Sequence, residues 1–222
     1  MKKNPTADNR AKKQIADDTI KFTLDPVFPA DGQIESKLVM RLPIGMQISC
    51  YSFNTEFLLG AYSIGKALNL WANIPREEVG IAPKIYIPIS MRVLSDYRFM
   101  EIVKQSERLL ENANWFVLMG TPDSANFFPE GLDTNGLADA YKKIGVHISV
   151  GEIQARHIHL SMLQEGLESV LPSVKFERTP EETGSLDELK HLAACLGIQF
   201  LTNNRTPWIM TLPEYMPHHM GA

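Results

Sequence analysis

From Pro83 to Val93 apolar and polar side chains alternate without a break. Ile85, Ile87, Ile89, Met91 and Val93 fall on one side, and Lys84, Tyr86, Pro88, Ser90 and Arg92 on the other. Successive side chains of a strand point to opposite faces, so this pattern predicts a strand buried on one face and solvated on the other. Pro88 has no N–H to donate and points to a sheet edge. Ser95 and Asp96 offer an N-cap to an amphipathic helix over 95–113. Its buried stripe is Phe99, Ile102, Val103, Ser106, Leu109, Leu110 and Ala113. The opposite face carries mixed charges at spacings of three and four and reads as solvated.

Residues 1–18 are polar and aperiodic and are expected to be disordered. A weak alternation over 20–24 predicts a short strand, and the prolines of 25–32 a loop. Strands are expected over 37–42, 46–53, 115–119, 174–178 and 208–212. Helices are expected over 54–74, 137–144, 149–170 and 185–196, with Gly145 and Gly197 as C-terminal stops. The fold class is therefore α+β, with mixed helices and short strands. A basic arm (1–18) leads into a main domain (19–178) that contains the strand–helix element at 83–113. An acidic linker with a terminal helix and strand (179–222) completes the chain.

The 222 residues are 44% hydrophobic and 22% charged, a globular composition long enough for a sizeable core. No apolar run is long enough to span a bilayer, and the N-terminal region is polar, so a cytoplasmic location is expected. Net charge is −4, but Lys2, Lys3, Arg10, Lys12 and Lys13 face only Asp8 in the first 13 residues. A basic arm on an acidic body can contact phosphates locally.

Catalytic signals are sparse. There is no glycine-rich phosphate loop, no nucleophile elbow and no zinc-protease motif. Cys50 and Cys195 lie in apolar neighbourhoods and read as buried thiols. His191 and Cys195 share a helix face at a spacing of four, whereas His157 and His159, two apart, would diverge on a helix. No metal and no cofactor is expected from this set.

Three segments carry a resemblance. Val93-Leu94-Ser95-Asp96-Tyr97 opens a long helix, Leu137-Ala138-Asp139-Ala140-Tyr141 precedes Gly145-Val146, and the 149–170 segment ends in Leu171-Pro172. In this order and spacing they resemble the AcaB-type transcriptional activators of conjugative plasmids and integrating conjugative elements. The resemblance implies a ribbon-helix-helix-like element and a homodimeric, non-enzymatic activator of transfer genes. Carried over by position, the strand face Lys84, Tyr86, Ser90 and Arg92 would read double-stranded DNA. Lys2, Lys3, Arg10, Lys12 and Lys13 would anchor phosphates. The 46–53 strand is a rival ribbon. Two other readings stay open. One is a protein-binding component of a conjugation or secretion apparatus. The other is an enzyme of unrecognised type using Cys195, His191 and His157.

Overall fold

A computed structural model describes residues 5–30, 37–43, 46, 51–73, 83–121, 134–153, 163, 166–172 and 180–203. The chain forms α1 (Pro5–Ala16), β1 (Thr23–Pro29), β2 (Lys37–Arg41), α2 (Phe53–Ala72), β3 (Lys84–Ser90) and the short α3 (Met91–Leu94). It continues through α4 (Tyr97–Gln105), α5 (Glu107–Glu111), β4 (Phe116–Thr121), α6 (Thr134–Lys143), β5 (His147–Ile153), β6 (Ser169–Pro172), α7 (Pro180–Cys195) and β7 (Gln199–Thr202).

Among the described residues, seven strands close into a barrel in sequence order. β1 runs antiparallel to both its neighbours, β2 and β7. All other pairs, from β2·β3 round to β6·β7, are parallel. Closure leaves no sheet edge, and parallel strands joined by helices are covered on both faces. This overturns the expectation of a ribbon-helix-helix-like element in an α+β domain.

β3 shows why. Its Ile85, Ile87 and Ile89 pack outward with Leu68, Phe99 and Val103 of the helix layer. Its other face is not wet: Tyr86 packs inside the barrel with Val27, Val39, Val117, Met119, Leu171 and Leu201. A barrel interior tolerates semi-polar residues, so the inner face of a central strand mimics a solvated one. Pro88 lies past Tyr86, the last residue of β3 paired with β2, while pairing with β4 continues through it. Its missing N–H therefore falls where the β2 ladder has ended.

Other departures have local causes. The helix expected over 95–113 is broken, because Ser106 (φ −84°, ψ 79°) leaves the helical region between α4 and α5. Asp96 caps α4 as expected, accepting from the Arg98 N–H. The segment after Ser149 is strand β5, with Ile148 and Val150 in the outer core. The loop expected at 25–32 holds most of β1, since Pro26 and Pro29 fit extended backbone. The last described strand, β7, was not anticipated. Strands expected over 46–53, 174–178 and 208–212 fall largely or wholly outside the described residues. The 37–42, 115–119 and 137–144 expectations correspond to β2, β4 and α6. Gly145 takes φ +81° at the end of α6, which suits glycine.

Residues 5–16, expected to be disordered, form α1, which docks on α2. Asp8 accepts from the Ser52 N–H at 2.8 Å, and Asp18 accepts from Tyr62 Oη at 2.7 Å. Lys66 Nζ lies 2.7 Å from the same Asp18. Between these ties Ala11, Ile20, Tyr51 and Leu59 form a small cluster. Burial raises the Asp8 pKa, but hydrogen bonds from Ser52 and Thr55 outweigh it and hold the carboxyl below 3.8. Lys66 and then Tyr62 hold Asp18 below the same value. A depressed folded-state pKa contributes stability above the unfolded value and loses it as pH falls through the folded one. Acidification below pH 3.8 is thus expected to release α1. Faster hydrogen exchange at the Ala11 amide than in β3 would register this. Equal protection of both down to global unfolding would contradict it.

Candidate ligand-binding site

Strand register sorts the interior side chains from the N-terminal to the C-terminal end of the parallel strands. β2 contributes Lys37, Val39 and Arg41; β3 contributes Lys84, Tyr86 and Pro88; β4 contributes Val117 and Met119. β5 contributes His147, Ser149 and Gly151, β6 Ser169 and Leu171, and β7 Gln199 and Leu201. β1 enters from the opposite direction with Asp25 and Val27.

The N-terminal end is closed by a polar network. Lys84 Nζ and Tyr86 Oη donate to Glu168 Oε1 at 3.0 and 3.1 Å. His147 Nδ1 stands 3.7 Å from Glu168 Oε2. Lys37, 4% exposed, donates to Gln199 Oε1 at 2.5 Å. The hydrogen bonds tie β2 to β7, and β3 to the residue before β6. In (β/α) barrels this end serves stability, while ligands bind at the C-terminal face.

At the C-terminal mouth, the β1–β2–β7 side is polar. Arg41 Nη2 donates to Asn203 Oδ1 at 3.1 Å, and its Nε lies 3.5 Å from Asp25 Oδ2. Asn203 in turn donates to the Pro172 carbonyl at 3.4 Å. The Arg41 side chain is 18% exposed, so its fork is held in place yet reachable. Burial lowers its pKa and Asp25 raises it.

The β3–β4–β5 side mixes apolar and polar side chains, with Ser90 and Thr121 in register at the strand ends beyond Pro88 and Met119. Pro88 and Met119 lie in register, and Met119 runs into the space left by Gly151, whose Cβ would sit 2.2 Å from the Met119 sulfur. On the rim, Arg92 pairs with Glu56, a carboxylate with no exposed side-chain surface. Phe53 carries guanidinium groups of Arg92 and Arg98 at 6.0 and 5.6 Å, and Tyr97 is 75% exposed beside them. Deeper, burial pushes the Tyr141 phenol well above its usual range, and its hydroxyl donates to the Leu94 carbonyl at 3.0 Å. Among the described residues, no group of three or more His, Cys, Asp or Glu side chains is placed to hold a metal ion.

This geometry separates the residues expected to read DNA. Lys84 and Tyr86 belong to the N-terminal network, Ser90 is 2% exposed at the end of β3, and Arg92 is paired at the rim. They form no continuous outward face, because β3 is central rather than an edge. Arg10, Lys12 and Lys13 lie on the exposed side of α1, and Lys2 and Lys3 fall outside the described residues. Cys195 is not buried: it is a free, exposed thiol 3.7 Å from His191 Nε2 on α7. Cys50, His157 and His159 lie outside the described residues. The mouth residues Asp25, Arg41 and Asn203 were not singled out. Lys37 and Arg41 flanking Val39 on one face of a predicted strand was the available signal.

No family model matches the sequence, and no curated protein does. Solved structures do match. The apo Vibrio cholerae LapD S helix-GGDEF-EAL chain is similar at 15% identity and a TM-score of 0.62, covering 88% of this chain and 50% of that one. The FimX EAL domain gives 12% identity and a TM-score of 0.62, with 89% and 82% coverage. The Bacillus subtilis YkuI protein, with an EAL domain, in complex with substrate c-di-GMP and calcium, gives 16% and 0.56, with 87% and 49% coverage. The chain thus spans about half the length of the LapD and YkuI chains.

The barrel therefore shares the fold of the EAL domains it matches. This finding overturns the resemblance to AcaB-type activators and, with it, the expected DNA-binding activator of conjugative transfer. It equally overturns the expected partners, double-stranded DNA and a second copy. The non-enzymatic expectation is corrected too, because the architecture is shared with a protein described as the EAL enzyme Bd1971. No helix among the described residues is long and apolar enough to cross a membrane.

Proposed function

We propose that this barrel binds cyclic di-GMP at its C-terminal mouth, with the Arg41 guanidinium contacting a phosphodiester. The observation that carries the reading is the placement of Arg41 at the C-terminal end of β2, held by Asn203 and Asp25 in a recessed mouth. A planar guanidinium matches two phosphate oxygens at once, and a recessed one forms stronger charge-assisted bonds. The aromatic rim of Phe53 and Tyr97 offers surface to purine rings. Support comes from neighbours of the same fold, among them a FimX EAL domain from Pseudomonas aeruginosa bound to c-di-GMP. The exposed, free thiol of Cys195 suits a cytoplasmic setting, where thiols stay reduced.

Titration calorimetry of the full chain with cyclic di-GMP is expected to show saturable binding. Arg41→Ala should weaken it by roughly tenfold to a hundredfold, the cost of losing a charged hydrogen bond. Chromatography of the nucleotide after incubation with magnesium or manganese separates retention from hydrolysis. No binding by the wild-type chain, or wild-type affinity in Arg41→Ala, would falsify the assignment.

A further inference from the structure

Among the described residues, Arg41 meets two unlike acceptors, Asn203 and Asp25. Asn203 is anchored on the β6 end through the Pro172 carbonyl, at 3.4 Å. Asp25, by contrast, has a side chain that is 54% exposed and meets Arg41 Nε only at 3.5 Å. One acceptor is thus built into the barrel wall. The other is a solvent-facing carboxylate on the neighbouring strand, and the chemistry it offers is that of a phosphate oxygen. The remaining carboxylates described at the rim are engaged elsewhere, Glu56 with Arg92 and Asp96 with Arg98.

We propose that Asp25 is an internal competitor for the phosphodiester, occupying part of the Arg41 fork and leaving it when the nucleotide binds. This inference rests on the reading that the mouth takes cyclic di-GMP. Two anions cannot share one guanidinium edge without repulsion, so ligand binding must displace the carboxylate or tolerate it nearby. Its exposure makes displacement cheap, because a carboxylate released into water regains full hydration. Its presence matters to the free protein, because it compensates the partly buried Arg41 cation. Asp25 therefore trades ligand affinity for stability, and Asn203 fixes the geometry that remains once Asp25 has left.

The test compares wild type, Asp25→Asn, Arg41→Ala and the double variant, all as full chains. Asn keeps the shape and removes the charge. Asp25→Asn is expected to tighten cyclic di-GMP by about fivefold, the scale of one exposed ion pair, and to lower the melting temperature of the free protein. The gain should vanish in the double variant. Unchanged or weaker binding by Asp25→Asn, with normal wild-type binding, would overturn the competitor role while leaving the nucleotide reading intact. A second probe, inorganic phosphate, is titrated while the Arg41 Nε–H resonance is followed. If no variant binds cyclic di-GMP, the nucleotide reading fails, and the phosphate arm still decides on Asp25. A larger phosphate response in Asp25→Asn than in wild type supports competition, and an equal or smaller one refutes it.

Discussion

Arg92→Met is expected to destabilise the fold by about 3–5 kcal/mol, the cost of leaving a buried charge without its partner. Arg92 lies in the first turn after β3 and reaches Glu56 in the first turn of α2, with Nε to Oε2 at 3.1 Å. Glu56 has no exposed side-chain surface, and Arg92 only 25%. The pair joins the elements that follow β2 and β3, so it holds the rim on which Phe53 stands. Urea denaturation of the variant gives the number. The double variant Glu56→Met with Arg92→Met should recover much of the loss, since replacing both charges with apolar groups is often neutral. Arg98→Ala serves as contrast. Its partner is Asp96, but the Arg98 side chain is 56% exposed, so a loss of under about 1 kcal/mol is expected. A similar small loss for Arg92→Met would show that Glu56 does not depend on it.

Gly151→Val should cost about 3 kcal/mol, at the upper end for overpacking a filled interior. Even a single Cβ at Gly151 would stand 2.2 Å from Met119 Sδ and 2.7 Å from its Cγ. A thioether can move, but Met119 is 1% exposed and packs among Val39, Tyr86, Val117 and Leu171 inside the barrel. The melting temperature should fall by roughly 5–10 °C for a chain of this size. Met119→Ala combined with Gly151→Val should restore part of it, because the new methyls then occupy the space the thioether left. Two simply additive losses would mean that Met119 and Gly151 do not share that space.

The helical stretches were legible where periodicity and end signals agreed. Phe57, Ala61, Ile64 and Leu68 at helical spacing gave α2, and Gly145 and Gly197 marked the ends of α6 and α7. The 115–119 apolar run was read as buried, and β4 has no exposed residue. β5 was misread because Ser149 and Glu152 imitate a capping box. Ser149 instead faces the barrel interior, in register with Met119. Gly60 was open to reading as a seam for a second chain, yet a Cβ there would meet Phe99 of α4 at 3.1 Å. Spacing along one chain cannot tell a partner helix from a later helix of the same molecule.

The candidate site was the least legible part. Arg41 lay at the end of a correctly placed strand, and Asp25 in what looked like a proline loop. Asn203 lies four residues past the start of a strand with little signal of its own. Nothing in the spacing of 25, 41 and 203 relates them; only the closing of β1 between β2 and β7 brings them together.

What the sequence by itself determined is the alternation that makes β3 extended, with three isoleucines on one face. Strand geometry requires no more than local side-chain order. What only the tertiary structure decided is where the other face points. Barrel closure places it inward, so Lys84 and Tyr86 lock the base of the barrel and Pro88 is buried above them. A polar side chain beside water and one beside a half-buried carboxylate leave the same trace in sequence, and only the neighbouring strands distinguish them.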